Sequence, residues 1–535
     1  MQAVVKNNPQ KSPPSKITHR QLRALGVKTK LRLYSATPLN QNCCPMTNCP
    51  NHSRNSLWRH ARLFALPLLL ASVTGCGLGR DNQPSSAMTT AKADVPPTWQ
   101  GVSPDKDVPA DGNAAKPEPN KSASQWWLQL QDDGLNQLVQ TALAQNLDVQ
   151  KAEARLAELT AAQQGAGANL LPQLNGNLGA ARSKQAQTTA NVLSESVTGS
   201  WSLDLFGGNR AKLKAAEAEQ ASAQAALGDA RLRLVASLVS GYIDLRAAQQ
   251  QQALAQSTIA AQQESWQLTK ARRDAGLVSD LDVAQAESQW RSTQAQLPIY
   301  RAAETAALHQ LELLLGQTPG SLSRLQQDAP PTPPAGQPIP LARGDVILNT
   351  PAKVIAARPD IQQAQAAVLA ALARGDAARA TQFPDLTLSG LFGLQQSSPS
   401  SPMQITGNVW SLGGTVLAPL FTFGRTDAEI AAADAHTKQA DLTYRQAVLT
   451  ALAEVETNLS AFLQEDQRRQ TLEQAVASNQ LNLELAQQRY RRGLNGFMEV
   501  LDAQRRLYET QSAQADATAK STRNWTRVYQ SLGVM

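Results

Sequence analysis

The sequence predicts a mostly α-helical chain that is built from two internal repeats and contributes four strands to a membrane β-barrel. Three observations support this fold class. Landmarks recur in the same order at a spacing of about 215 residues, which indicates a duplicated unit. Two proline-free stretches, 211–272 and 426–491, are long enough for helices of about 90 Å at about 1.5 Å per residue. Short segments ahead of these stretches alternate apolar and polar residues, as strands with one apolar face do.

Residues 1–75 have the form of a secretory signal region. Basic residues precede a short apolar run at 63–71, well below the roughly 20 residues that a bilayer-spanning helix needs. Residues 1–45 lack a hydrophobic run of their own, and Met46 stands at a suitable distance from the basic flank. We therefore expect 1–45 to be an extra N-terminal extension.

Small residues lead from the apolar run directly to Cys76. This pattern is similar to the bacterial lipobox, whose cysteine is lipidated and becomes the mature N-terminus. We expect a covalent lipid on Cys76 and no other cofactor. Gly77, in place of the Asp that retains many lipoproteins at the inner membrane, favours sorting to the outer membrane. The alternative is a buried helix that precedes a free cysteine.

The composition excludes several function classes for the rest of the chain. All four cysteines lie within the first 76 residues, so neither a disulfide scaffold nor a cysteine-based zinc site is expected later. Residues 1–75 also hold eleven of the 50 Lys and Arg residues and no Asp or Glu. Without them the formal charge falls from +7 to −4, because 39 basic residues face 43 acidic ones. No nucleic-acid partner is expected.

The rest of the chain divides into a tether and two repeats. Proline, Asp, Lys and Ser are frequent in 76–124, which predicts a solvated, flexible tether. The first repeat covers 125–343 and the second covers 344–535. The matched landmarks are Asn146-Leu147 with Arg358-Pro359, Leu171-Pro172 with Phe383-Pro384, Leu205-Phe206 with Leu420-Phe421, and Gly276-Leu277 with Gly493-Leu494.

Each repeat begins with a helical stretch of modest length, at 132–168 and 344–381, and a proline ends each stretch. Two very long helical stretches, joined at a glycine-containing turn, complete each repeat. Apolar residues in them are spaced by three and four positions, the seam of a coiled coil. The seam residues are Val235, Leu238, Tyr242 and Leu245 in the first repeat, and Val448, Leu452, Val455, Leu459 and Phe462 in the second.

Two strand-like segments lie between the helical parts of each repeat. Their apolar residues fall on alternate positions, and Gln, Ser, Thr and Asn occupy much of the opposite phase. A soluble hairpin packed on a helix is the local alternative, because the signal of a membrane strand is weak on its own. The alternating residues are Val197, Trp201, Leu203 and Leu205, then Leu386, Leu388, Phe392 and Leu394, and finally Trp410, Leu412, Val416, Ala418 and Leu420.

Four strands per chain are too few to close a barrel. An open sheet edge in lipid leaves backbone groups unpaired, so other copies of the chain must supply the missing strands. Two copies would give eight strands, whose side chains nearly fill the interior, whereas three copies give twelve and leave a passage. The sequence thus predicts a homotrimer whose barrel and long helices enclose a conduit.

The lipobox, the duplicated unit and several of its motifs together resemble the outer membrane factors, which are TolC-like proteins, and specifically their lipoprotein branch in tripartite efflux systems. The motifs are Arg358-Pro359-Asp360-Ile361, Phe383-Pro384 before a strand, Gly276-Leu277 with Val283, and Gly493 with Val500-Leu501-Asp502.

This resemblance implies a passive trimeric channel that exports small molecules such as drugs or other toxic compounds. It implies a twelve-stranded barrel in the outer membrane, a helical barrel across the periplasm, and a belt that includes 318–343 and the C-terminal region. The partners would be outer-membrane lipid, a periplasmic adaptor and an inner-membrane pump.

The resemblance also places a gate at the turns between the long helices. Asp502 and Glu499 match acidic positions at the narrow periplasmic tip, where a ring of like charges raises carboxylate pKa values. Asp282 and Tyr490 match positions that bond between neighbouring helix pairs and hold the tip shut. Arg505 lies three residues after Asp502, within reach of an ion pair.

One residue departs from the gate pattern, and several others have an alternative interpretation. Asn495 stands where some relatives place an arginine that braces the closed state, so that link is absent; either the restraint is weaker, or Arg491, Arg492 or Arg505 replaces the arginine. Ser279 with Asp282, and Gly496 with Glu499, have the spacing of a helix N-cap and its third residue. A packed aromatic is the alternative for Tyr490.

Other function classes are less consistent with the sequence. Only His309 and His436 follow the signal region, both in predicted alanine-rich helices and without a catalytic motif, so we predict that the chain is not an enzyme. A lipid-anchored periplasmic adaptor or a structural coiled coil without a barrel would also use long helices and a lipobox. A type I protein-secretion channel is the third alternative.

Overall fold

The computed structural model describes residues 95–99, 125–185, 188–323, 339–341, 350–399 and 405–535. The chain divides into two units, Met1–Gly77 and Leu78–Met535, and every described residue belongs to the second unit. The predicted signal region and the lipid expected on Cys76 lie outside the described residues.

The first repeat starts with a short 3₁₀ helix, Trp126–Leu130, which is followed by two helices, two strands and three further helices. They are α1 (Asp133–Gln145), α2 (Leu147–Ala168), β1 (Gln173–Gln185), β2 (Thr188–Leu203), α3 (Gly208–Asp274), α4 (Asp280–Gln294) and α5 (Leu297–Leu314). The second repeat has the same order, except that one helix takes the place of the last two: α6 (Pro351–Ala357), α7 (Pro359–Ala380), β3 (Asp385–Pro399), β4 (Ile405–Leu417), α8 (Arg425–Arg491) and α9 (Phe497–Ser531).

The opening stretch of each repeat is two helices rather than the single one predicted. In the first repeat the chain is extended at Asn146, whose side chain caps α2 by accepting hydrogen bonds from the amides of Asp148 and Val149. In the second repeat Pro359 begins α7, and Arg358 before it is extended because a residue that precedes proline avoids the helical region. The two breaks coincide with the first pair of landmarks.

Only the first helix of each hairpin has the great length that was predicted. Helices α3 and α8 each contain 67 residues and extend about 100 Å. The returning helix α9 has 35 residues, and its counterpart is broken into α4 and α5. The prediction of a second very long helix in the first repeat is therefore wrong. Pro298, in the first turn of α5, lacks the amide that a continuous helix would need.

The predicted seams face the inside of the protein. Leu238, Tyr242 and Leu245 are fully buried in the first repeat, and Val455 occupies the same kind of position in the second. Burial of these side chains holds the helix pairs together, since each large apolar side chain contributes about 1.5–3 kcal/mol when removed from water.

The four strands form one antiparallel sheet in the order β1-β2-β3-β4. Its register brings apolar side chains onto one face, where Val197 pairs with Phe392 and Phe392 pairs with Trp410. That face does not pack on a helix: Trp410 is 75% exposed and Leu412 is 79% exposed. The alternative of a soluble hairpin packed on a helix is therefore not what the structure shows.

The opposite face of the sheet is mostly polar. Asn175 pairs with Thr198, and Asn177 pairs with Ser196. The strands end earlier than the alternation suggested, because β2 ends at Leu203 and β4 ends at Leu417. Leu205, Ala418 and Leu420 therefore lie in the connections to the long helices and not in the sheet.

An aromatic cluster joins the start of the first repeat to the end of the second. The Trp126 ring lies 5.5 Å from the Trp525 ring and 5.7 Å from the Tyr529 ring, centroid to centroid, and all three side chains are buried. Trp99 is also buried, against Val354 and neighbouring residues. The segment 95–99, which the sequence assigned to a solvated tether, is thus packed on the second repeat.

Among the described helices, none combines the length and the apolar composition that crossing a membrane requires. Within the described residues there is also no group of three or more His, Cys, Asp and Glu side chains that is arranged to hold a metal ion.

Candidate functional site

The turns at the ends of the long helices have the same geometry in both repeats. We call residues 272–282 the first tip and residues 489–502 the second tip. Gly276 and Gly493 both have a φ of 71°, a left-handed conformation that favours glycine. The amide of the next leucine bonds back to a helix carbonyl in each case, Leu277 to Arg272 and Leu494 to Arg489, at 2.9 Å. The duplicated unit thus ends in two equivalent hairpins, α3–α4 and α8–α9.

Asp282 caps helix α4. Its carboxylate accepts hydrogen bonds from the Ser279 amide at 3.0 Å and from the Ser279 hydroxyl at 2.8 Å, and the Asp282 amide donates back to that hydroxyl. These contacts form a capping box, which confirms the capping interpretation of Ser279 and Asp282. Within the described protomer, Asp282 does not hydrogen-bond to Tyr490.

Glu499 lies in the first turn of α9, and its partner is Asn495. The Asn495 side-chain amide donates to the Glu499 carboxylate at 2.7 Å and lies 3.4 Å from the Ala486 carbonyl. Gly496 is the N-cap of the helix and has no side chain with which to cap it. Asn495 therefore braces the second tip internally.

Asp502 is paired with two arginines. Its carboxylate lies 2.7 Å from Arg505 Nη2 and 2.8 Å from Arg506 Nε, and its side chain is 37% exposed. The hydrogen bond from Arg505, with the charge of both guanidinium groups, lowers the pKa of Asp502. Within one protomer this direction is opposite to the rise expected for a ring of like charges. No sequence pattern pointed to Arg506.

Tyr490 packs between two residues. Its ring lies 5.4 Å from the ring of Phe497, and the Arg272 guanidinium carbon lies 4.5 Å from its centroid on the other hairpin. The Tyr490 hydroxyl is buried and has no hydrogen-bond partner among the described residues. Arg272 is a functional candidate that was not predicted from the sequence. Arg489 lies at the equivalent position of the second repeat, four residues before the turn glycine, and this match was the only sequence signal for Arg272. A contact between two hairpins produces no periodic pattern in the sequence.

A small apolar cluster packs the two tips against each other. Phe497 and Val500 of α9 are buried together with Ala286 of α4. One polar bond accompanies them, from the Gln504 side-chain amide to the Ser265 hydroxyl at 3.2 Å. Beyond the cluster, the ends of the hairpins are apolar and exposed: Leu277 is 72% exposed and Leu494 is 63% exposed.

The fold and these tips define a class of protein. A sheet with an exposed apolar face, joined directly to helices of about 100 Å that end in paired hairpins, is the architecture of an outer-membrane channel with a helical extension. Comparison with known proteins gives the family. Residues 138–317 and 350–534 match the family model of the outer membrane efflux proteins, and the chain belongs to that family.

Relatives from several bacteria share most of the chain. Nodulation protein T of Rhizobium leguminosarum bv. trifolii is 31% identical over 419 residues, which cover 76% of this chain and 86% of the relative. The pyoverdine export outer membrane protein OpmQ of Pseudomonas aeruginosa is 28% identical over 424 residues, which cover 76% of this chain and 87% of the relative.

Solved structures show the same architecture. The outer-membrane channel OprN superimposes with a TM-score of 0.69 at 30% identity, over 81% of this chain and 99% of OprN. The open state of the MtrE outer membrane channel of Neisseria gonorrhoeae superimposes with a TM-score of 0.66 at 25% identity, over 75% of this chain and 89% of MtrE. The predicted family and the predicted function, an outer-membrane channel for export, are confirmed. OprN and MtrE are outer-membrane channels.

Proposed function

We propose that three copies of the chain form a passive conduit across the outer membrane. The observation that supports this proposal is the sheet: within the described residues β1 and β4 are edge strands, and one face is apolar and exposed. A sheet with open edges is not viable in lipid, and three four-stranded sheets give the twelve strands that leave a passage. The apolar face then meets lipid and the polar face lines the lumen.

The dimensions of the strands suit this role. The strands contain 13 to 16 residues, more than the 9–11 or so that a tilted transmembrane strand needs. Helix α3 begins at Gly208 after β2 ends at Leu203, and α8 begins at Arg425 after β4 ends at Leu417, so the lumen of the barrel continues into a tube formed by the long helices. The tube extends about 100 Å, which carries the tips far into the periplasm.

The exposed ends of the hairpins are the surface on which we expect a periplasmic adaptor to dock. Leu277 and Leu494 are exposed at the two tips, each beside arginines. An inner-membrane pump, joined through the adaptor, would supply the energy, and the channel would lower the barrier to export without chemistry. We expect small molecules, such as drugs or other toxic compounds, as cargo.

We further propose that the second tip is the gate. Asp502 and Glu499, repeated by the threefold axis, form a charged constriction, and Arg505 adjusts its charge. Asp282 fixes the first tip through its cap, and Tyr490 joins the second tip to the first. Cys76, with its lipid, anchors the assembly to the inner leaflet of the outer membrane.

Planar-bilayer recording of the purified protein tests the conduit. We expect discrete conductance steps, and a trimer band on a denaturing gel that converts to monomer only on heating. A folded protein that inserts into the bilayer without conducting would contradict the proposal. So would migration as a monomer before heating, because one chain cannot close its own barrel.

A further inference from the structure

We propose that Arg272 keeps the channel closed by holding its guanidinium group against the ring of Tyr490. This inference rests on the proposed gated conduit. The contact joins the two hairpins of one protomer at their tips, with 4.5 Å between the guanidinium carbon and the ring centroid. Arg272 lies four residues before the Gly276 turn and Tyr490 lies three residues before the Gly493 turn, so the contact sits at the ends of both hairpins.

The Arg272 side chain has no competing ion pair among the described residues. The next residue, Arg273, is engaged with Asp274 at 2.8 Å and with Asp280 at 3.0 Å. Arg272 is half-buried. A guanidinium group that is partly removed from water and has no carboxylate partner gains most from the negative face of an aromatic ring. The cation–π contact with Tyr490 is therefore the interaction that holds the Arg272 guanidinium group.

The ring of Tyr490 is held in place for this contact. Phe497, which is 5% exposed, packs 5.4 Å from it on the same hairpin, centroid to centroid. Phe497 belongs to α9 and to the apolar cluster that packs α9 against Ala286 of the first hairpin, so a movement of α9 away from that hairpin breaks this packing and carries the ring with it. Separation of the two hairpins at the tips then requires the Arg272–Tyr490 contact to break.

The ring of Tyr490, and not its hydroxyl, makes this connection. The hydroxyl oxygen is buried and has no hydrogen-bond partner in the described part of the chain. Asp282, the partner implied by resemblance, already accepts two hydrogen bonds from Ser279. Within the described protomer the hydroxyl contributes no hydrogen bond between the hairpins, whereas the ring contributes the cation–π contact.

The experiment measures open probability in planar bilayers for a set of variants. Arg272→Ala and Tyr490→Leu each remove one side of the contact from all three protomers. Each contact alters the equilibrium by about fivefold, so loss of three raises the open probability by at least about tenfold. Tyr490→Phe keeps the ring, and we expect it to restore the closed state that Tyr490→Leu loses. Arg272→Lys keeps a cation and gives an intermediate value.

A matched control and a double variant test the pairing itself. The Arg291 guanidinium carbon lies 4.1 Å from the ring of its own neighbour Trp290, so Arg291→Ala removes the same charge without touching the other hairpin. We expect Arg291→Ala to behave as the wild type. The double variant Arg272→Ala with Tyr490→Leu should open no more than either single variant, because both break one contact.

Three results would overturn the inference. Arg272→Ala could stay closed while Tyr490→Phe opens, which would assign the closed state to the hydroxyl. Arg291→Ala could open as much as Arg272→Ala, which would assign the effect to charge alone. The double variant could show the product of the two single effects, which would make the residues independent. Absence of conductance from every variant and from the wild type would instead contradict the conduit.

Discussion

Replacement of Arg358 by alanine should destabilise the packing of the helices of the second repeat. Arg358 is 6% exposed, and its guanidinium group binds Asp360 through two hydrogen bonds, at 3.0 Å and 2.6 Å. It also donates to Glu454 at 2.8 Å and to the Ser531 carbonyl at 2.7 Å. One side chain thus connects the start of α7 with α8 and with the last turn of α9.

The cost follows from what the substitution leaves behind. Two carboxylates lose their cation and a buried carbonyl loses its donor. Removal of one partner from a buried ion pair costs about 3–5 kcal/mol, and we take about 3 kcal/mol because both carboxylates keep some contact with water. Burial raises the pKa of Asp360, but the bonds from Arg358 outweigh it and the pKa is lowered. The loss should therefore be largest above the normal pKa of aspartate.

Denaturant unfolding of the purified protein, followed by tryptophan fluorescence, measures this loss. Trp525 and Trp126 lie in the cluster at the end of α9 and report on the region. Arg374→Ala is the matched control, because its pair with Glu219 is largely exposed and should cost less than about 1 kcal/mol. Equal losses for Arg358→Ala and Arg374→Ala would refute the reasoning, since burial is what distinguishes them.

Three further predictions concern a carboxylate, a glycine and the gate. Burial raises the pKa of Glu312, but amide hydrogen bonds from Leu322 and Gly320 and contact with His309 outweigh it and lower the pKa. The ionised carboxylate stabilises the protein above about pH 4.3, and this contribution is lost as the pH falls. Glu312→Gln should therefore reduce the fall in the free energy of unfolding at acidic pH. An unchanged dependence on pH would contradict this. Gly533→Ala should destabilise by about 2 kcal/mol in denaturant, since φ is 69° and a Cβ would lie 2.8 Å from Arg358 Cγ; an unchanged midpoint would show that this turn relaxes freely. Asp502→Ala should shift the reversal potential towards anions, because two arginines lose their counter-charge, and Arg505→Ala should shift it the other way; no shift in either would argue against a gate at this position.

The sequence predicted those parts of the fold that depend on periodicity. Val235 and Leu238 on one long helix and Val455 on the other are buried as the coiled-coil spacing required. Strands β2, β3 and β4 follow from alternation, and the repeat follows from landmarks that mark helix breaks and turns. Pro298 was visible in the sequence, but its effect on the returning helix was not recognised.

The candidate site was predicted less completely, because its contacts join residues that are distant in sequence. The cap of Asp282 is local, and its spacing from Ser279 allowed it to be foreseen as an alternative. The cation–π contact of Arg272 with Tyr490 joins residues more than two hundred positions apart and follows no period. Burial of Trp99 was missed for a related reason: composition describes a segment as a whole and does not show that one aromatic residue within it is packed.

The central claim is that the channel exists only as an assembly of chains, and the mass of the intact complex tests it most directly. Native mass spectrometry of the protein extracted in mild detergent should give a single species with the mass of three chains. A folded species with the mass of one chain, with its helical content intact, would contradict the account.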